Sequence, residues 1–578
     1  MTLEKDLNNF EKAKLEADKI DEEIISILEL GKSFRVEAGA GSGKTYSLNS
    51  VIEWVQDNKR ADYIKNNKNV ICITYTNAAV DVIDERIKDK SFIIPSTIHS
   101  FAWNAIKQYQ SALLNLIKAD DALYSKEGDF NKVTSVNYTL GNRYDELGVH
   151  YLYHDDVLKL FVSLLENSKF RSIFSNKYPL ILIDEYQDSY KPIIDSFIKY
   201  FIDKDEGPQF GFFGDAWQTI YQTNNACGLI EHDKIYVISK VSNFRSAPRI
   251  VEVLNKIRPE LPQISAMDNF DGEVHVITCD DYDGVRRVER NFRGDLPTEE
   301  LKTRLDKLVS LIKKLVPKEE NLKVLMLTHK ILASQQGYEQ LLKILENDLR
   351  DKQNPFLLFF MEIVEPIYKA LESSDLKLLF NTLKSKRYPI TKKIEKIKWK
   401  ELKDNLTQVR EKRSVDVLKV VIESGLIPVP PVIKDYYEMY ETTPELIYPS
   451  DITLKAFLDL DYGQYISAIN FLYPEAEYST EHGVKGEEYD NVIFVMSRGW
   501  NQYQFDKYVP MIFNGIESGK ESSFVRNRNL FYVSCSRPKK RLYIFVTFIV
   551  DSIFEKTLKE LVGVENYHSF DDFVKLLK

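Results

Sequence analysis

The stretch SFRVEAGAGSGKTYSL, residues 33–48, decides how the rest of the chain is read. Apolar residues at Phe34, Val36 and Ala38 give a short strand, and YSLNSVIEWV from Tyr46 onward has helical spacing. Between them Gly39, Gly41 and Gly43 let backbone N–H groups turn inward at a helix N-terminus, where Ala40 and Ser42 complete the loop. Lys44 is placed to reach the β- and γ-phosphates of a nucleotide, and the Thr45 hydroxyl to ligate magnesium. The strict GxxxxGK[ST] pattern fails only at its first position, which is Ala38.

A phosphate loop needs an acidic partner, and LILIDEYQD supplies one. Leu180 to Ile183 form a buried strand ending at Asp184 and Glu185. A carboxylate at the end of a strand beside the loop holds magnesium, and the next acts as general base toward water. Acidic pairs at strand ends also occur as simple surface charge. Together the loop and the pair make nucleotide hydrolysis the stronger reading.

Further short β-rich runs, among them NVICITY, QFGFFGD, GEVHVIT, YDNVIFVMS and KRLYIFVTF, alternate with helical stretches. Near-continuous apolar strands of this kind belong to parallel sheets covered on both faces. The expected fold is α/β, with two parallel-sheet P-loop cores, each carrying a mainly helical insertion. The first core spans 1–100 and 177–245, with an insertion at 101–176. The second spans 246–335 and 476–578, with a Lys-rich insertion at 336–475. LFYVSCS, before Arg537, reads as strand-like.

The chain of 578 residues has a net charge of −9, which by itself disfavours a polyanionic partner. Locally, residues 384–413 hold twelve Lys or Arg against four acids, a net of +8. That run is either a phosphate-facing surface or a solvated helical face. The N-terminus, charged from its fourth residue, lacks the apolar core of a signal peptide, and no apolar run approaches membrane-spanning length. Four scattered cysteines form no zinc or disulfide pattern, and a cytoplasmic location is expected.

In order along the chain stand AGAGSGKT, TYTNAAVDVIDERI, STIHSFAW, LIDEYQD, GDAWQTIY, SNFRS, TEHGVKGEEYDNVI and LFYVSCSRPKKRL. This ordered set resembles the UvrD/Rep-like superfamily 1 DNA helicases. The resemblance implies two RecA-like cores with Mg-ATP between them. It assigns catalysis to Lys44, Asp184, Glu185, Gln218, Arg245 and Arg537, with Gln218 orienting water and the two arginines acting as fingers. Phe244 corresponds to the aromatic that stacks on adenine, and Glu488 to the acid that contacts the ribose. Thr45 and Asp184 would hold the metal. Strand contacts fall to Tyr75, Asn77, His99, Ser100, Tyr221, Thr480 and His482. Taken alone, the two tyrosines read more often as core or interface aromatics than as base platforms, and the two histidines as satisfied structural ones.

The implied activity is 3′-to-5′ ATP-dependent helicase or single-strand translocase action, in DNA repair or anti-phage defence. A second reading is a DNA-bound, nucleotide-sensing ATPase that regulates a nuclease without productive unwinding. Short insertions make the chain similar to the small UvrD-like helicase subunits of bacterial anti-phage systems such as Gabija, which work with a separate nuclease. Several positions depart from the family. No glutamine precedes the P-loop, which leaves nucleotide preference open; QTNNACG replaces an aromatic-arginine pair; Ala78 and Ser536 replace a lysine and a threonine.

Overall fold

The computed structural model of the protein describes residues 7–74, 77–124, 132–138, 143–220, 225–327, 333, 337–345, 355–383, 393–442, 455–472, 477–481, 484–498 and 502–578. The chain divides into two compact units. One comprises 1–281, 484–494 and 501–573, the other 282–483, 495–500 and 574–578.

The first unit opens on α1 (Asn9–Glu29), started by a reciprocal capping box between Asn8 and Glu11. Next come β1 (Phe34–Ala38), α2 (Lys44–Lys65), β2 (Val70–Thr74), α3 (Asn77–Arg86), β3 (Ile93–Thr97) and α4 (Ile98–Ile106). The region expected as an insertion contains α5 (Gln110–Ala119), β4 (Ser135–Tyr138), β5 (Tyr144–Glu146), β6 (Val149–Leu152), α6 (His154–Leu165) and α7 (Ser168–Lys177). Its strands form a small sheet, β4–β6–β5, too short for an alternation pattern to signal. Afterwards β7 (Leu180–Asp184), α8 (Lys191–Phe197), β8 (Gln209–Gly214) and β9 (Tyr236–Lys240) complete the main sheet.

That sheet runs β3–β2–β7–β8–β1–β9, parallel throughout. Successive residues of a strand face opposite ways, so one sequence run feeds two cores. Cys72, Leu182 and Phe213 pack with Leu48, Val51 and Val55 of α2 and with Ile24 of α1. Ile71, Ile73, Ile183 and Phe212 pack on the other face against Phe101, Phe161 and Phe197. Burial on both faces explains why these strands are continuously apolar.

A second parallel arrangement follows β10 (Ser242–Asn243), α9 (Pro248–Ile257) and β11 (Ile264–Ser265). Its first strand, β12 (Glu273–Thr278), precedes the second unit, where α10 (Thr298–Leu315) and β13 (Leu322–Met326) lead to a run of helices. One of these, Lys393–Val409, carries most of the described part of the basic run, whose residues 384–392 lie outside the described residues. There β14 (Tyr478–Thr480) pairs in parallel with β13. The chain returns through β15 (Tyr489–Met496), a helix at Glu521–Cys535, β16 (Pro538–Val546), a helix at Ser552–Val562 and β17 (Tyr567–Ser569). β12 lies between β16 and β17 and is parallel to both.

LFYVSCS is therefore helical, not strand-like. Nine residues of Glu521–Cys535 are buried, on every side of the helix, so the apolar run loses the 3.6-residue rhythm that marks an amphipathic helix. Among the described residues no helix is long and apolar enough to cross a membrane.

Candidate nucleotide-binding site

The loop after β1 turns through Gly41 at φ +73° and Gly43 at φ +80°, and Gly43 caps α2. A methyl group on Gly41 would stand 2.6 Å from Arg245 Cβ and 2.8 Å from Asn243 Oδ1, so the loop passes too close to residues 243–245 for any side chain. Neighbouring backbone groups are fixed as well. Ala40 N–H donates to the Tyr532 hydroxyl (3.1 Å), while Ala40 O accepts from Asn243 Nδ2 (3.0 Å) and Gln263 Nε2 (3.1 Å).

Lys44 Nζ lies 2.9 Å from Glu185 Oε1. The carboxylate-bearing strand is not directly beside the loop strand, because β8 stands between β7 and β1. The side chain of Lys44 spans that gap. Glu185 sits at φ +50°, a left-handed conformation that costs a non-glycine residue about 1–3 kcal/mol and is held here by its surroundings. Its second oxygen accepts from Gln187 Nε2.

Burial opposes the charge on Glu185, but Lys44 and Lys485 outweigh it and hold the carboxyl down at about 2. Asp184 goes the other way: burial and the adjacent Glu185 push it up to about 6. Burial opposes the ammonium of Lys44, yet Glu185, Asp184 and Asp215 together raise its pKa. The site thus concentrates one firmly ionised carboxylate and one destabilised carboxylate around a single ammonium. An arriving phosphate competes for the ammonium, and a divalent cation relieves the destabilised carboxylate. The oxygen donors of Thr45 and Asp184 suit a hard cation such as magnesium.

Gln218 is buried, with Nε2 donating to Asp215 Oδ2 (2.8 Å) and Oε1 accepting from Arg537 Nη2 (3.3 Å). Arg537 is 0% exposed; it also donates to Val533 O (3.0 Å), Glu487 O (3.1 Å) and Ser536 Oγ (2.9 Å). Burial and the nearby Arg245 lower its pKa to about 9, which leaves it charged at neutral pH. Arg245 donates to Glu488 Oε2 (3.0 Å) and Ser536 O (3.2 Å). Glu488 also pairs with Lys539 at 2.6 Å, so the acid expected at the ribose is engaged by two cations. Phe244 is 38% exposed and meets the edge of Phe10 at 6.3 Å.

All the expected catalytic and nucleotide-contacting residues except Ala40 line one cavity of about 570 Å³. Sequence reasoning misses three members of this neighbourhood. Lys485 joins Asp188 and donates to Gln218 O at 2.5 Å. Both lie inside quoted motifs, VKGEE and DEYQD, where their charge is the available signal. Arg258 lies in no motif.

The strand-contact residues are described only in part. Tyr75, Tyr221 and His482 lie outside the described residues, and Asn77 is described only as the first residue of α3. Ser100 is exposed, its hydroxyl accepting from Thr97 Oγ1 at 3.0 Å. His99 stacks on His154 at 3.4 Å between centroids, and burial together with that second imidazole pushes its pKa down to about 3. Thr480 ends β14 and is buried.

Residues 22–224 match the family model described as an AAA domain. The chain is 24% identical to the Gabija protein GajB of Bacillus cereus (strain HuB5-5) over 690 aligned positions, covering 95% of this chain and 98% of that protein. It is also 24% identical over 297 positions to a probable DNA helicase II homolog of Mycoplasma capricolum, covering 41% of this chain and 40% of the relative. These likenesses and the ordered motifs support a resemblance to the UvrD/Rep-like superfamily 1 helicases. The likenesses support a helicase-type ATPase, and the parallel sheets are those of RecA-like cores. The Gabija relative is matched over nearly its whole length.

Proposed function

We propose that the chain is a Mg-ATP-driven 3′-to-5′ translocase or helicase on single-stranded DNA, acting in the cytoplasm in anti-phage defence with a separate nuclease subunit. One observation carries this reading. Lys44, Glu185, Gln218 and Arg537 converge on one cavity, Lys44 hydrogen-bonded to Glu185 and Arg537 to Gln218. In that cavity Lys44 binds the terminal phosphates, Glu185 takes the proton of the attacking water, and Gln218 orients that water. Arg537 and Arg245 stabilise the charge that develops on the transferred group. Thr45 and Asp184 would hold magnesium, which when bound neutralises phosphate charge. Likeness to a Gabija protein over 95% of the chain supports the defence setting.

A second reading, a nucleotide-sensing ATPase that regulates a nuclease without unwinding, is favoured by QTNNACG, which lacks the family's aromatic-arginine pair. Steady-state ATP hydrolysis with and without single-stranded DNA, followed by strand displacement on both overhang polarities, separates the two. Stimulation by DNA with displacement from a 3′ overhang is the expected result. Stimulation without displacement supports the regulatory ATPase, and no hydrolysis under any condition overturns both.

DNA binding by the basic run has its own check. Neutralising Lys392, Lys393, Lys396, Lys398 and Lys400 together should weaken strand binding and flatten its dependence on salt. The logarithmic slope falls by about 0.7 for each strand phosphate that is no longer neutralised. An unchanged slope returns the run to a solvated helical face.

A further inference from the structure

Arg258 closes α9 and is 4% exposed, although no sequence motif contains it. Its guanidinium joins two buried carboxylates, donating through Nη1 to Asp215 Oδ1 (2.7 Å) and through Nη2 to Glu37 Oε1 (2.9 Å). The rings of Trp217 and Tyr532 lie 5.1 and 5.8 Å from its central carbon, within the range of cation–π attraction.

Each of those carboxylates holds the turn that carries Gln218. Asp215 Oδ1 accepts from Trp217 N–H (3.0 Å), and Asp215 Oδ2 accepts from Gln218 Nε2 (2.8 Å). Glu37 Oε1 accepts from Ala216 N–H (3.2 Å). Because Asp215 can only accept, it turns the amide of Gln218 so that Nε2 faces inward and Oε1 faces Arg537. Glu37 also pairs with Arg35 (3.6 Å) and accepts from the Tyr186 hydroxyl (2.9 Å), but without Arg258 the buried Asp215 would lose the guanidinium that ties it to Glu37, and the grip on the amide would loosen.

We infer that Arg258 is a positioning residue for hydrolysis, fixing Asp215 and Glu37 and through them the orientation of Gln218 toward Arg537. The inference rests on the reading of the cavity as a nucleotide-hydrolysing site. A water-orienting amide works only at the right distance and angle, and a displacement of about 1 Å costs turnover on the order of 100-fold.

The test uses the full chain with single-stranded DNA, comparing wild type with Arg258→Gln and Arg258→Lys. Turnover is expressed per nucleotide site, counted by stoichiometric binding of a fluorescent ADP. Loss of fold then lowers the count of sites, whereas loss of positioning lowers turnover at each one. Arg258→Gln should reduce kcat per site by about 10- to 100-fold, with KM changed by no more than about threefold. Arg258→Lys should recover part of that loss but remain at least about fivefold below wild type, because an ammonium cannot bind both carboxylates as a fork. If Arg258→Gln does not fold, the lysine variant decides. A kcat per site within about twofold of wild type in every variant that folds overturns the inference while leaving the site intact. Failure of the wild type to hydrolyse ATP overturns the reading of the cavity, and the inference falls with it.

Discussion

Glu185→Gln should cut nucleotide turnover by about 10³-fold while leaving nucleotide affinity within about threefold of wild type. The amide has the size of the carboxyl it replaces and can still accept the hydrogen bond that Lys44 donates at 2.9 Å, so packing around the left-handed turn is preserved. What is lost is the capacity to take a proton. Without nucleotide, Lys44 and Lys485 hold the Glu185 carboxyl at about 2, too weak a base to draw a proton from water efficiently. On the proposed reading a bound phosphate would draw Lys44 away, so that one of the two cations leaves and the carboxylate becomes the stronger base that the step requires. On that reading the residue is thereby made basic by the ligand it serves, and deprotonation of ordered water without substrate is disfavoured. Single-turnover hydrolysis, alongside titration with fluorescent ADP, checks both halves of the expectation. Turnover in the variant within about tenfold of wild type would remove Glu185 from the role of base.

The legible part of this site is the part built from local backbone chemistry. A glycine loop after an apolar strand and an acidic pair after another are visible because each needs particular residues at adjacent positions, and β1, β7 and their neighbours form where the apolar runs stand. What sequence does not reveal is what depends on strand order or on distant packing. The insertion of β8 between the two carriers of Lys44 and Glu185 follows from topology, not from either motif. Arg258 is 221 positions from Glu37 and has no neighbours in sequence that mark it as buried. Helix 521–535 reads as a strand because periodicity fails for an element buried on all sides. The grouping of chain segments into compact units, with 282–483 apart from 1–281, likewise depends on long-range packing that no window of sequence contains.

Arg537 tests whether the link between hydrolysis and structure is as direct as the hydrogen bonds make it. Arg537→Ala should lower kcat by about 10³-fold or more, the range over which an arginine finger acts on phosphoryl transfer. It should also destabilise the fold, because its buried guanidinium satisfies Val533 O, Glu487 O, Ser536 Oγ and Gln218 Oε1. Leaving such acceptors unpaired costs about 1–3 kcal/mol each before relaxation, which water entering the space left by the side chain partly offsets. A net loss of about 2–4 kcal/mol is expected, read as a lower Tm. Arg537→Lys separates the two effects. It keeps the charge and part of the volume, so stability should return further than activity, since an ammonium cannot reach Gln218, the backbone and a phosphate oxygen at once. If the lysine variant regained wild-type kcat, charge alone would suffice, and the hydrogen bond from Arg537 Nη2 to Gln218 would have no part in the reaction. Full loss of activity at wild-type Tm in Arg537→Ala would instead mean that the four hydrogen bonds add nothing net to stability, and that the buried guanidinium is kept for its chemistry alone.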